Sequence, residues 1–234
     1  MRRDLLTVPA VGILLLAASC GFFRDAGAQT TEDRPIAGVT AVRLLTSGDL
    51  AITVGQTQTL TVTAGANQQV GLTSQVIDGT LILDNKANNA NGSGISYALT
   101  VPPLTNLDIS GSGSATGVGI LTGDAQLRAS GSGGAAVTGV NLSSVVVDLT
   151  GSGDVQLAGE AATSKVTVTG SGNYNGSALV TDHTEVDVDG SGDASVNVTG
   201  RLAATVSGSG GVTYSGNPAE ISKDVSGSGE VVPG

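Results

Sequence analysis

The stretch Val147-Asp148-Leu149-Thr150-Gly151-Ser152-Gly153 sets the pattern of the C-terminal half of this chain. From Gly111 onward its Gly-Ser-Gly tripeptide occurs seven times, at intervals of 20, 20, 19, 20, 18 and 19 residues. A period of this length is typical of repeat proteins, in which each unit can bury its apolar side only against its neighbours. Glycine permits backbone angles and close approaches that a Cβ forbids, so we predict structural turns at both glycines of each copy. The predicted turn glycines are Gly111, Gly113, Gly131, Gly133, Gly151, Gly153, Gly170, Gly172, Gly190, Gly192, Gly208, Gly210, Gly227 and Gly229.

Apolar residues occupy two fixed columns ahead of these turns. Two residues before the first glycine stand Ile109, Ala129, Leu149, Val168, Val188, Val206 and Val225. Four residues before it stand Leu107, Leu127, Val147, Val166, Val186, Ala204 and Lys223. Side chains on a strand alternate between its two faces, so both columns belong to the buried side of one strand. We therefore expect Leu149, Val168 and Val188 to form consecutive rungs of a buried ladder.

The residues between the two apolar columns are polar, and we expect them to face solvent. They are Asp108, Arg128, Asp148, Thr167, Asp187, Thr205 and Asp224, so no two aspartates are adjacent. Equivalent strands of a parallel stack lie about 4.8 Å apart, a distance at which like charges repel. The interleaving therefore favours a parallel stack over an antiparallel meander. The predicted fold is all-β, a right-handed parallel β-helix or solenoid of Gly-Ser-Gly coils with an irregular N-terminal β segment.

The strand pattern extends upstream of the repeats with irregular spacing. Leu60-Thr61-Val62-Thr63-Ala64-Gly65 echoes Val166-Thr167-Val168-Thr169-Gly170, whereas Pro102 and Pro103 interrupt the ladder. We assign residues 39–103 to an N-terminal β segment that caps the solenoid or forms its first coils, and residues 104–234 to the repeat solenoid. Lys223, in place of an apolar residue, predicts an atypical last coil that helps to cap the stack.

Residues 1–19 have the features of a signal peptide. Arg2 and Arg3 precede an apolar run, too short to span a bilayer comfortably, that ends in Leu16-Ala17-Ala18-Ser19-Cys20. This end resembles a bacterial lipobox, in which small residues precede a lipidated cysteine, and the chain has no other cysteine. We predict lipidation at Cys20, membrane attachment through that lipid, and a polar tether over residues 20–38. Cleavage near Ala28, which would give a secreted protein, is the alternative.

Composition argues against several classes of function. Twenty acidic and ten basic residues give a net charge of −10. Phosphate backbones would repel such a chain, so we predict no nucleic-acid partner. The chain has 3 Tyr, 2 Phe and no Trp, which leaves few rings to fill a core or to stack on sugars.

No residue pattern points to catalysis, a cofactor or a metal. Asp108, Arg128, Asp148 and Asp187 share a face, as in solenoid enzymes that act on acidic polysaccharides, but they recur with the repeat and favour a solvated ladder. His183, the only histidine, is expected in a surface loop and makes a poor metal site alone. Gly-Ser-Gly lacks the Gly-Lys-Ser/Thr end of a phosphate loop. The residue after each turn varies too much for regular calcium ligation, as Ser114, Gly134, Asp154, Asn173, Asp193, Gly211 and Glu230.

The order of these motifs resembles one bacterial family. Leu99-Thr100-Val101-Pro102 leads into Leu107-x-Ile109-x-Gly111-Ser112-Gly113, and Gly151-Ser152-Gly153-Asp154-Val155 follows. With the lipoprotein-like start, this order resembles the head-GIN family of auto-transporter adhesin heads over about residues 39–232. The resemblance implies a β-helical surface or periplasmic protein and brings no catalytic residues. We expect an exported, adhesin-like binding module for a glycan or an envelope protein; the alternatives are a purely structural envelope scaffold and a polysaccharide-active enzyme.

Overall fold

The computed structural model of this chain describes residues 26–86 and 94–234, so the predicted signal peptide and Cys20 lie outside the described residues. Strands make up 74% of the structure and helix 2%, and parallel coils stack into a β-solenoid of about 6 turns, which confirms the predicted fold class. No helix in the described ranges is long and apolar enough to cross a membrane. The elements are β1 (Gln29–Arg34), β2 (Ala41–Leu44), β3 (Asp49–Val54), β4 (Thr59–Gly65), α1 (Ala66–Gln69), β5 (Leu72–Ile77), β6 (Thr80–Asn85), β7 (Ser96–Val101), β8 (Leu104–Ile109), β9 (Ser114–Val118), β10 (Leu121–Gly131), β11 (Gly134–Gly151), β12 (Asp154–Gly170), β13 (Asn173–Gly190), β14 (Asp193–Gly208), β15 (Gly211–Ser215), β16 (Glu220–Gly227) and β17 (Glu230–Pro233).

The parallel register aligns each repeat with the next one. Leu149 pairs with Val168 and Val168 pairs with Val188, and all three side chains are buried. The expected buried ladder is therefore confirmed. Asp148, Thr167 and Asp187 pair in the same register on the outer side, where they are partly exposed. Burying a valine or leucine contributes about 1.5–3 kcal/mol, so the inner columns supply most of the stability of the stack.

The Gly-Ser-Gly turns stack directly on one another. The carbonyl oxygen of Gly151 accepts hydrogen bonds from Ser171 N at 2.8 Å and from Gly172 N at 3.0 Å. Gly151 has a φ of +117°, which an L side chain rarely adopts. A Cβ on Gly153 would collide with the carbonyl oxygen of Gly133. The first glycine thus provides the backbone angle, and the second provides the close contact between rungs.

The N-terminal segment enters the stack out of sequence order. β2 pairs in parallel with both β6 and β8, and β3 pairs in parallel with both β7 and β9. The first coil in the sequence is therefore the second rung in space. Parallel rungs lie on both sides of residue 103, so the N-terminal β segment contributes coils to the same stack as the repeats.

Antiparallel strands close the N-terminal end of the solenoid. β4 pairs with β7, β1 pairs with β4, and β5 pairs with β6, all antiparallel. Residues 29–34, which the sequence assigns to a tether, instead form β1, because their backbone completes the open edge of β4. We call β1, β4, α1 and β5 the N-terminal cap.

A polar network ties the N-terminal cap together. The Arg34 guanidinium donates to Leu72 O at 2.8 Å, to Ser74 Oγ at 3.1 Å and to Gln69 Oε1 at 3.0 Å. Gln69 Nε2 donates to Thr30 O at 3.1 Å and to Val62 O at 3.0 Å. These contacts join β1, β4, α1 and β5, so one arginine and one buried glutamine hold four elements.

The C-terminal rung has no such cover. Every residue of β16 is exposed, and Ile221 and Val225 keep 43% and 42% of their surface in solvent. Lys223 stands at the inner position, where its Nζ donates to Val231 O at 2.9 Å and lies 4.6 Å from the centre of the Tyr214 ring. The lysine thus places a charge at the open end of the core.

Two tyrosines fill the interior despite the scarcity of aromatic residues. Tyr97 and Tyr174 are both buried, each at the second residue of its strand, β7 or β13. Burial raises the pKa of both phenols. The hydrogen bond that Thr46 Oγ1 donates to Tyr97 Oη acts in the opposite direction on the pKa of Tyr97, and the nearby Ser164 hydroxyl does so on that of Tyr174. Both side chains are therefore neutral in the folded protein at ordinary pH.

Candidate ligand trough

The strands that follow the turns form one long outer face with a shallow trough. Two depressions, of about 400 Å³ and about 480 Å³, adjoin along it. Both are lined by Ser114 and Thr116, which join them into one feature that crosses β4, β7, β3, β9, β11, β12 and β13. At about 4.8 Å per spacing, this trough is about 29 Å long.

Small side chains form the floor of the trough. Ala98, Ala51 and Ala136 belong to one outward column, and Thr116 stands between the last two. Larger polar residues border both ends: Thr61 and Thr63 lie on the cap side, and Gln156 and Asn175 lie on the repeat side. The change in side-chain size along a column creates the depression, because backbone spacing is constant in a stack.

Most carboxylates along the trough are engaged within the solenoid. Asp49 Oδ1 accepts a hydrogen bond from Ser114 Oγ at 2.6 Å, and Asp154 Oδ1 accepts one from Asn173 Nδ2 at 2.9 Å. On the next rung, beyond the trough, Asp193 Oδ1 accepts a hydrogen bond from Gly211 N at 2.8 Å. These aspartates connect neighbouring rungs, so the variable residues after the turns have a structural role.

Amide and hydroxyl groups of the trough remain available to a ligand. In the described part of the chain, the side chains of Thr116 and Gln156 make no hydrogen bond to protein. The Oδ1 atom of Asn175 accepts from Ser177 Oγ at 2.7 Å, which orients the amide and leaves its Nδ2 free. Among the described residues, no lysine, arginine or histidine lines either depression.

The candidate catalytic aspartates lie on another face, where two of the three, Asp108 and Asp148, pair with arginines. Arg128 Nε donates to Asp148 Oδ2 at 3.1 Å. Arg43 Nε donates to Asp108 Oδ2 at 2.8 Å, a pair that joins residues 65 positions apart. A depression of about 390 Å³ passes over Asp108, Arg128 and Asp148. The arrangement provides alternating charges that hold rungs together.

His183 does not lie in a loop, as the sequence suggested, but on β13. It pairs with Thr163 and Arg201 on the adjacent rungs, because the repeat continues through this segment with register shifts. Its Nδ1 lies 3.0 Å from Asp182 Oδ2. A groove of about 320 Å³ beside it contains Lys165, whose pKa is raised by its 2.6 Å hydrogen bond to Glu185. Because carboxylates offset the cations, this groove has no clear preference for anions.

No group of three or more histidine, cysteine, aspartate or glutamate side chains within residues 26–86 and 94–234 could hold a metal ion. The predicted lipidation residue, Cys20, lies outside these ranges. Sequence reasoning did not identify the trough, because its alanines come from strands that are distant in the chain. The sequence would have revealed this outward column of small residues only if the order of the rungs had been known, in which β3 lies between β7 and β9.

The chain is similar to a family and to solved structures. The family model described as "Putative auto-transporter adhesin, head GIN domain" matches residues 39–218. A crystal structure named "putative adhesin" from Bacteroides fragilis has 24% identity and a TM-score of 0.81, covering 88% of this chain and 97% of that chain. A "putative lipid binding protein" from Parabacteroides distasonis has 23% identity and a TM-score of 0.68, covering 89% and 97%. These likenesses show the shared fold, and no curated protein matches the sequence.

Proposed function

Because this chain belongs to the family described as "Putative auto-transporter adhesin, head GIN domain", we propose that it is a non-catalytic, adhesin-like binding module of the cell envelope. Its ligand lies in the trough. The observation that supports this function is a long, shallow surface whose free polar groups are uncharged. Such a surface suits binding rather than chemistry, since it neither encloses a substrate nor excludes water.

The trough favours a neutral, hydroxyl-rich ligand such as an uncharged glycan chain. Thr116, Gln156 and Asn175 provide donors and acceptors, which hydroxyl groups can match in either sense. A carboxylated or sulfated polymer would meet no cation among the described residues of the trough and would lie near Asp49 and Asp154. The alanine floor allows close approach of sugar rings without aromatic stacking.

A glycan array and an envelope pull-down with residues 26–234 would identify the ligand. Ala136→Gln fills the floor of the trough, so we expect it to abolish binding. Ala203→Gln makes the same change on an outward column of another face and should bind as wild type. Equal binding by both variants would place the ligand elsewhere. Failure of the wild type to capture any glycan or envelope protein would favour the purely structural scaffold.

The paired state of the candidate carboxylates supports a non-catalytic role. Asp108 and Asp148 each form an ion pair with an arginine, and Arg128 stands on the rung between them. The two carboxyl groups of a glycosidase flank one scissile bond, whereas Asp108 and Asp148 each face an arginine side chain. Release of reducing ends from the bound polysaccharide would favour the enzyme alternative.

The structure also supports cleavage before Cys20 rather than after Ala28. Asn67 N donates to Ala26 O at 3.1 Å, and Ala66 N donates to Ala28 O at 2.9 Å. Cleavage after Ala28 would remove both acceptors from the N-terminal cap, whereas cleavage at Cys20 keeps them. We therefore propose an exported lipoprotein anchored through Cys20, and a Cys20→Ala variant should lose partitioning into the detergent phase.

A further inference from the structure

The folded part of the chain begins close to the proposed lipid. Ala26 and Ala28 accept hydrogen bonds from α1, and Gly65 lies so near Ala26 that a Cβ there would collide with its backbone. β1 then pairs with β4 along its whole length. Five residues separate Cys20 from Ala26, so the six Cα–Cα steps between them span at most about 20–22 Å.

This short connection joins the N-terminal cap and not the side or the far end of the stack. β1 and β4 lie beyond β7, which is the first parallel rung of its face, whereas β17 is the last. Eight spacings of about 4.8 Å separate β7 from β17, or about 38 Å. A lipid on Cys20 therefore holds one defined end of an elongated body near the bilayer.

The surface of the N-terminal cap suits that position. Val70, in the turn after α1, is 91% exposed, and Ile77 at the other end of β5 is 50% exposed. Val70 follows Gln69, which the Arg34 network holds in place, so the apolar tip projects from a fixed support. The cap also carries the exposed Glu32 and Asp33 on β1, and the long faces carry further rows of aspartate and glutamate. Anionic headgroups repel these carboxylates, so the cap suits a zwitterionic bilayer surface.

We propose that the N-terminal cap, with Val70 at its tip, is a membrane-contacting surface on which the solenoid stands with its C-terminal rung directed away from the bilayer. The inference rests on the proposed anchor at Cys20. It places the trough and the outer rungs above the lipid surface, accessible to a ligand outside the membrane. A single exposed valine is ordinary on the surface of a soluble protein. The short tether to Cys20 would hold Val70 close to the bilayer.

Single-cysteine labelling tests the orientation, because an acylated Cys20 leaves no other thiol. Lipidated Val70→Cys, Gln156→Cys and Thr213→Cys proteins would carry a donor dye on phosphatidylcholine vesicles that contain an acceptor-labelled lipid. Gln156 and Thr213 stand on rungs about 19 Å and about 34 Å from β7. Energy transfer should be highest at position 70 and fall in that order, and a polarity-sensitive dye at position 70 alone should shift to the blue on vesicle binding.

Two failures are distinguishable in this experiment. Equal transfer from all three positions on bound protein would mean that the solenoid lies flat, which overturns the membrane-contacting cap but leaves the anchor intact. Absence of the protein from the vesicles, with the same behaviour as a Cys20→Ala control, would overturn the anchor and the orientation with it.

Discussion

The two ends of the solenoid protect the same kind of open edge in different ways. At the N-terminal end, antiparallel β4 and β5 cover the first rungs, and Gln68 and Gln69 are buried beneath them. At the C-terminal end, β16 has no neighbour beyond it, and Ile221 and Val225 remain partly exposed. Exposed strand edges promote association, and inward-pointing charges are one natural protection. The N-terminal end is thus covered by antiparallel strands, and the C-terminal end is protected by the charge of Lys223.

The largest effect is expected from the turn glycines, which differ between the middle and the open end. Gly153→Ala would place a Cβ against Gly133 O within a stack that continues on both sides. We expect a loss of about 4 kcal/mol or more in unfolding free energy. Gly229→Ala meets Gly210 O in the same way, but the last rung can move outward, so its loss should be less than half as large. Urea unfolding of both variants measures the difference, and equal losses would mean that the last rung is as constrained as the middle.

Arg34→Ala should be the next most destabilising change, because it removes the donor shared by three parts of the N-terminal cap. Leaving a buried acceptor without its partner costs about 1–3 kcal/mol, and these three acceptors are partly buried. Arg34→Lys is the matched control: it keeps the charge but not the planar fork, so it should recover only part of the loss. Thermal unfolding would show this order, and wild-type stability of Arg34→Ala would refute the role of the network.

Val168→Ala and Val225→Ala compare one column in the middle and at the open end. Val168 is fully buried, so truncation should cost about 1–3 kcal/mol through lost burial and the cavity left behind. Val225 is 42% exposed, and its truncation should cost less than about 1 kcal/mol. Thr167→Ala, on the outer side, is the control and should have little effect. A larger loss of unfolding free energy for Val225→Ala than for Val168→Ala would mean that the side chain of Val225 is more deeply buried than the last rung allows in this account.

Lys223→Val should change stability by less than about 1 kcal/mol, since the lysine is exposed. Its main effect should be on association, because an apolar inner position would let another edge strand add to β16. Sedimentation velocity should show self-association of Lys223→Val and not of Lys223→Arg, which keeps the charge. A monomeric Lys223→Val protein would show that another feature protects the open end.

The repeat geometry was predictable because it depends on local spacing. The phase of Leu149, Val168 and Val188 relative to Gly-Ser-Gly determined which side is buried and which residues pair. The N-terminal half was harder to predict from the sequence. The pairing of Arg43 with Asp108 requires β2 to lie between β6 and β8, which both come later in the chain. The sequence predicts a tether over Gln29–Arg34 because these residues are polar. They form a strand only because they pair with the edge of β4.

The central claim is a binding solenoid anchored to the envelope at its closed end. The intact mass of the native protein extracted from membranes tests it most directly. We predict a mature chain that begins at Cys20 and carries a covalent lipid, with Ala26 and Ala28 retained in the N-terminal cap. An unmodified chain that begins at Gln29 would contradict the anchor, the cap as it is built here and the outward orientation of the solenoid.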